Sequence, residues 1–129
     1  MNPVDVTCAV IIFDNKYLVT RRSETMARAG KWEFPGGKIE AGETPEQCIK
    51  REIREELNIG IKVLQWLEPV IHSYPDITIR LIPCIAVITS GSVKLNEHSN
   101  FKWMKKDELK HLNWSDADVS VVDQIMKLT

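Results

Sequence analysis

Between Val4 and Ile12 every second residue is apolar (Val4, Val6, Cys8, Val10, Ile12), which is the two-residue period of a strand. Asp14-Asn15 then supplies residues that accept turn geometry, and Tyr17-Leu18-Val19-Thr20 follows, so a β-hairpin is expected. Ile61 to Ile71 and Ile77 to Thr89 are further β-rich stretches; Pro83 in the second lacks a backbone donor and predicts an edge or a bulge. Phe101 and Trp103 alternate in another short strand.

Two segments change to a helical period. Thr44 as N-cap, Pro45 at the first helical position and Gln47 completing a capping box predict a helix running to about Leu57. The second is expected from Ser115, with Asp118 as its capping-box partner and Val121, Val122, Ile125 and Met126 at helical spacing. Strands mixed with two helices imply an α/β sandwich. The chain has 129 residues, 43% hydrophobic and 27% charged, and shows no repeat, low-complexity tract or linker, so one domain over 1–129 is expected.

Net charge is −1, from 17 basic and 18 acidic residues, and carries no field that would select a nucleic-acid polymer or an acidic membrane. Neither a leader pattern at Met1 to Asp5 nor a run of about 18 apolar residues occurs, which predicts a soluble, cytoplasmic protein. Cys8, Cys48 and Cys84 are odd in number and far apart, so reduced, structural thiols are expected.

The first helix carries the candidate chemistry. At about 100° per residue, Glu52, Glu55 and Glu56 fall within roughly 100° of one another, while Ile49, Ile53 and Leu57 form a neighbouring apolar stripe. Each like-charge pair at this spacing costs an isolated helix about 0.2 to 0.5 kcal/mol. No lysine or arginine is expected on that face, Lys50 and Arg54 pointing elsewhere, and a bound cation would relieve the repulsion. Grouped carboxylate oxygens suit magnesium or manganese; a solvated acidic face is the alternative reading. Directly before the helix, Phe34-Pro35-Gly36-Gly37-Lys38 and Ile39-Glu40-Ala41-Gly42-Glu43 form a glycine-rich stretch that lets backbone approach a ligand closely.

Taken together, Gly37 to Ile59 reads as glycine, five residues, glutamate, seven residues, then Arg51-Glu52-Ile53-Arg54-Glu55-Glu56-Leu57-Asn58-Ile59. This strongly resembles the Nudix box, a motif of 23 positions. The one departure is Asn58, where the family usually has glycine; asparagine is the next-best residue for the left-handed conformation that closes a helix.

The resemblance implies a Nudix fold, a mixed sheet between helices, with the motif as a metal-carrying loop, helix and loop. It implies that Glu52, Glu55 and Glu56 bind a divalent cation, Mg2+ or Mn2+, with the Gly37 carbonyl, and that Glu52 is either ligand or general base. Glu43 and Arg51 would brace the loop against the helix. Thr20-Arg21-Arg22, Trp32 to Lys38 and the terminal helix extend the similarity to the MutT-like branch, where a late-loop glutamate approaches the metals; Glu97 stands at that place. By the same similarity Arg22 and Lys38 would contact phosphates or sugar, Phe34 would pack on the base and Asp118 would hydrogen-bond its edge. Core packing and helix capping are the plain alternatives for the last two. By the same similarity Arg80 would replace a branch arginine that is lacking where Ile77 stands.

The implied reaction is metal-dependent hydrolysis of a small-molecule nucleoside triphosphate to monophosphate and pyrophosphate, by a monomer or homodimer. An ionised Asp118 would accept from the amine of cytosine or the N1 and N2 donors of guanine and 8-oxoguanine. The stretch Asn113 to Asp118 is similar to cytidine-triphosphate pyrophosphohydrolases of the branch. Another nucleotide conjugate such as ADP-ribose is the rival substrate, against which the first strand beginning almost at Met1 is set. A non-catalytic nucleotide-binding module is the rival class, against which the three glutamates stand.

Overall fold

In the computed structural model, which describes residues 2–128, the chain folds as a mixed sheet with helices on its faces. The strands are β1 (Val4–Phe13), β2 (Lys16–Arg21), β3 (Trp32–Glu33), β4 (Gly36–Lys38), β5 (Gly60–Trp66), β6 (Val70–Ser73), β7 (Thr78–Ser90) and β8 (Asn100–Lys105). The helices are α1 (Pro45–Leu57) and α2 (Asp116–Lys127), and a 3-10 turn at Lys106–His111 precedes α2. The sheet path is β3-β2-β1-β7-β5, with β4 on β1, β6 on β7 and β8 on β2.

The expected hairpin forms, with Asp14 and Asn15 both at positive φ, 52° and 60°, as a two-residue turn between strands requires. Its pairing is confined to the tip, Ile12 with Tyr17 and Phe13 with Lys16. The body of β1 runs parallel to β7 from Val4 with Ile79 to Ile11 with Ala86. Alternation shows which side chains share a face, and it says nothing about which strand lies alongside.

At the centre of the sheet both faces of β1 are covered. Cys8 and Val10 join Val121, Val122 and Ile125 in a core under α2, while Ala9 and Ile11 join Ile49, Ile53 and Leu57 in a second core under α1. The apolar stripe of α1 is therefore the face that packs.

Pro83 corrects one expectation. It lies in β7, a central strand, where the neighbouring partner changes from β6, ending at Leu81, to β5, beginning at Cys84. Its carbonyl accepts from the Leu67 N–H at 2.9 Å. Since N–H and C=O of one residue point to the same side of a strand, the missing donor faces this break and no ladder bond is lost. A bulge does occur nearby in β5, between Val63 and Gln65.

The caps of α1 are as the sequence predicts. The Gln47 N–H donates to Thr44 Oγ1 at 3.1 Å and the Thr44 N–H to Gln47 Oε1 at 3.0 Å. Asn58 closes the helix at φ 61° and ψ 33°, donating its N–H to the Arg54 carbonyl. For α2 the expected capping box is absent: Ser115 is the N-cap residue but makes no side-chain cap bond, and the Asp118 carboxylate is used elsewhere. No helix of the described residues is long and apolar enough to cross a membrane.

Candidate active site

A cleft of about 360 Å3 runs from the Gly37 loop and the C-terminal half of α1 to the start of α2. It brings together Arg22, Phe34, Gly37, Lys38, Glu52, Glu56 and Asp118 of the residues singled out by sequence. Glu43, Arg51, Glu55 and Glu97 lie outside its lining.

At one end the backbone turns tightly under the carboxylates. A Cβ on Gly37 would stand 2.3 Å from the Glu52 carboxyl carbon, and one on Gly36 only 1.9 Å from the Thr7 carbonyl oxygen. Gly37 leaves room for the Glu52 carboxylate and Gly36 for the backbone of β1, so neither position accommodates a side chain. The Gly37 carbonyl receives long contacts, 3.3 Å from the Thr7 hydroxyl and 3.6 Å from the Cys48 thiol.

Arg51 ties this end together and corrects the expectation of an uncompensated acidic face. Its Nε and Nη2 donate to the two Glu43 oxygens at 2.6 and 3.0 Å, and its Nη1 meets Glu52 Oε1 at 2.8 Å and Glu55 Oε2 at 3.3 Å. Adjacent to Glu52 and four residues before Glu55, its long side chain reaches round to both. The guanidinium holds the Glu43 carboxyl down at about 2. Among the described residues no group of three His, Cys, Asp or Glu side chains forms a ready ligand shell.

Glu56 differs from its neighbours. Burial above all, then the charges of Glu33 and Glu52, push its carboxyl up to about 9, against a backbone hydrogen bond from Gly36. Its Oε2 is buried with no hydrogen-bond partner. A carboxyl buried among carboxylates holds either a proton or a cation. Burial also raises Glu52, opposed by Arg51. Orphaned oxygen, second carboxylate and apposed backbone carbonyl fit a hard divalent ion.

Glu97 is exposed on the loop between β7 and β8, but its charge adds to the proton affinity of Glu56. The loop is docked on the last turn of α1, Asn96 N–H to the Glu56 carbonyl at 3.1 Å and Lys94 N–H to that of Leu57 at 2.9 Å.

Beside the middle of the cleft runs a chain of polar contacts through Glu33, to which the sequence assigns no role. Arg22 Nη1 lies 2.7 Å from Glu33 Oε1, and the buried His98 places Nε2 2.7 Å from Glu33 Oε2. Glu33 stands within Trp32 to Lys38 and His98 directly follows Glu97; only their meeting across the fold marks them.

At the far end Phe34 is buried, stacked on Trp114 with centroids 4.8 Å apart, and still lines the cleft. It is core residue and wall at once. Its N–H donates to Asp118 Oδ2 at 2.8 Å. Asp118 is 5% exposed. Burial first and then Glu33 push its carboxyl well above the usual range, while the Phe34 N–H, Arg22 and Arg28 oppose this. The premise of a freely ionised Asp118 is corrected accordingly. Arg80 is corrected too: it pairs with Asp5 on β1, at 2.9 and 3.2 Å, and does not line the cleft.

A family model for the NUDIX domain matches residues 2–125. The chain belongs to the NUDIX family. It is 30% identical over 128 residues to the CTP pyrophosphohydrolase of Escherichia coli K12, covering 99% of this chain and 95% of the relative. To the 8-oxo-dGTP diphosphatase of the same organism it is 33% identical over 115 residues, 89% of each chain. The solution structure of MutT from methicillin-resistant Staphylococcus aureus superimposes with a TM-score of 0.78 at 37% identity, covering 97% of this chain and 96% of that one. The protein is accordingly a hydrolase acting on phosphoric anhydrides, in a family that generally uses a divalent metal such as Mg2+.

Proposed function

We propose that this NUDIX protein is a Mg2+-dependent pyrophosphohydrolase that converts a nucleoside triphosphate to the monophosphate and pyrophosphate, acting on CTP, dCTP or 8-oxo-dGTP. The carrying observation is the polarity of the cleft: half-buried carboxylates and a tight glycine loop at one end, an aromatic wall and a buried hydrogen-bonding carboxyl at the other. The names of the Escherichia coli relatives, one for CTP and one for 8-oxo-dGTP, support the same substrate class.

In this reading Glu52, Glu55 and Glu56, with the Gly37 carbonyl and Glu97, hold the metal. Glu55 reaches the site by leaving Arg51, a short movement for a half-exposed side chain. The bound ion would draw charge from the phosphate oxygens and orient the attacking water. Glu52, partly desolvated beside Arg51, is ligand or base to that water. Arg22, oriented by Glu33, and the exposed Lys38 meet the charge that develops on the phosphates. Phe34 packs on the base, and Asp118 Oδ1, left free by the bond from Phe34 to Oδ2, faces its edge.

The test is pyrophosphate release with Mg2+ across normal and oxidised nucleoside triphosphates and ADP-ribose. CTP, dCTP or 8-oxo-dGTP should exceed UTP and dTTP by at least about tenfold in kcat/KM, the scale of one lost buried hydrogen bond. ADP-ribose as best substrate, or no turnover of any triphosphate, overturns the reading.

A further inference from the structure

The base end of the cleft holds a cation that the sequence reading passed over. Arg28 lies in the loop between β2 and β3 at φ 55°, and lines the cleft with Met26, Ile77 and Ile79. Its guanidinium carbon sits 4.0 Å from the centre of the Tyr74 ring, and Nη1 donates to Asp76 Oδ1 at 3.2 Å. Tyr74 is fixed in turn, its hydroxyl accepting the Ala117 N–H at 2.9 Å beside Asp118. Stacking on an aromatic face and one ion pair hold the planar group in place. Nε and Nη2 have no protein acceptor among the described residues.

A fixed guanidinium with free donors, on a wall otherwise made of Met26, Ile77 and Ile79, offers N–H groups to an acceptor placed at this end of the cleft. Phosphates would lie at the opposite end, beside Glu52 and Glu56. We propose that Arg28 is a specificity-determining residue, whose free N–H groups donate to a nucleobase carbonyl, O2 of cytosine or O6 of guanine, while Asp118 meets the amine-bearing end. This rests on reading the cleft as a nucleotide site. Cytosine and guanine each present one amine and one carbonyl at opposite ends of the pairing edge. Uracil presents two carbonyls, and adenine an amine with no carbonyl. Asp118 therefore separates cytosine from uracil, and Arg28 separates both from adenine.

The experiment is isothermal titration of CMP, UMP and AMP into wild-type protein and Arg28→Ala, with thermal melting to check the fold. Loss of Arg28 should raise the Kd of CMP and UMP by about tenfold and that of AMP by less than about threefold, the size expected when one charged hydrogen bond is removed. Equal weakening of all three, an unchanged Kd for CMP, or no CMP binding by the wild type overturns the assignment. Arg28-dependent CMP binding in a protein that cleaves no triphosphate would remove the hydrolase reading and leave this one standing.

Discussion

The two ends of the cleft are made in opposite ways. Apart from Glu97, the carboxylate end comes from one stretch of chain, Gly37 to Glu56, where a loop, a capped helix and a salt-bridged arginine are neighbours in sequence. The proposed base end is assembled from Arg28, Phe34, Tyr74 and Asp118, which stand on separate segments and meet only in the folded chain. A contiguous site is under local control: the spacing of side chains on one helix sets the spacing of oxygens. A dispersed site depends on strand order and loop docking, so one substitution there changes preference before it changes chemistry.

The largest expected effect tests the contiguous end. Glu56→Gln should lower turnover by at least about a hundredfold, the usual scale for a group acting directly on the reacting centre. The same carboxyl gives a sign for stability. Its folded value of about 9 stands above the ordinary 4.5. In metal-free protein its contribution is therefore full below about 4.5 and lost as pH rises through about 9. Melting temperature in chelator should fall with pH over that window, and Mg2+ should restore it most at the alkaline end, because the ion takes the place of the proton. Glu56→Gln should flatten the fall. A melting temperature indifferent to both Mg2+ and pH would break the assignment of Glu56 to the metal.

A smaller effect is expected at the dispersed end. Since burial raises Asp118 well above its ordinary 3.8, its ionised, purely accepting form gains ground as pH rises. Preference for CTP over UTP should grow with pH, and Asp118→Ala should reduce it by about 1 to 3 kcal/mol, the range for a lost buried hydrogen bond. Stability runs the other way: a raised carboxyl contributes fully below its ordinary value and loses that contribution as pH passes the folded value. Asp118→Asn should therefore stabilise the protein more at pH 8 than at pH 5. A CTP to UTP ratio constant across pH, or retained in Asp118→Ala, would leave Asp118 only as the acceptor that fixes the Phe34 backbone.

The same contrast explains what the sequence could tell. The helix from Thr44 to Asn58, its caps and its buried stripe were legible because every cause is local: a hydroxyl, a ring-locked φ, a period of 3.6. Glu33 and His98 were not, since 65 residues separate two side chains that meet at 2.7 Å. The reach of Arg51 to Glu52 and Glu55 is not legible, because a helical wheel gives Cβ directions and ignores the length of a side chain. Asp118 was read as a cap from its distance to Ser115, whereas the register of β3 and the start of α2 bring the Phe34 N–H to it first. Pro83 looked like an edge residue because a break between two partners on one side of a strand leaves no trace in a single segment.

The smallest effect concerns Asn58, the one departure from the family pattern, and it tests how local the contiguous end is. Asn58 sits at φ 61° and its N–H closes the last turn on the Arg54 carbonyl, so its role is to end α1 and aim the chain into β5. Replacing it with glycine removes a small left-handed penalty and adds conformational freedom to the unfolded chain, two terms of similar size and opposite sign. Asn58→Gly should therefore shift stability by less than about 1 kcal/mol and leave turnover almost unchanged. Asn58→Val supplies the contrast, because a β-branched side chain in this conformation costs about 1 to 2 kcal/mol. Denaturant unfolding and pyrophosphate release measured side by side decide it. If Asn58→Gly keeps its circular dichroism and melting temperature but loses most of its turnover, the side-chain amide has a chemical role and the helix end belongs to the site; if only Asn58→Val suffers, and in stability alone, the position is a cap.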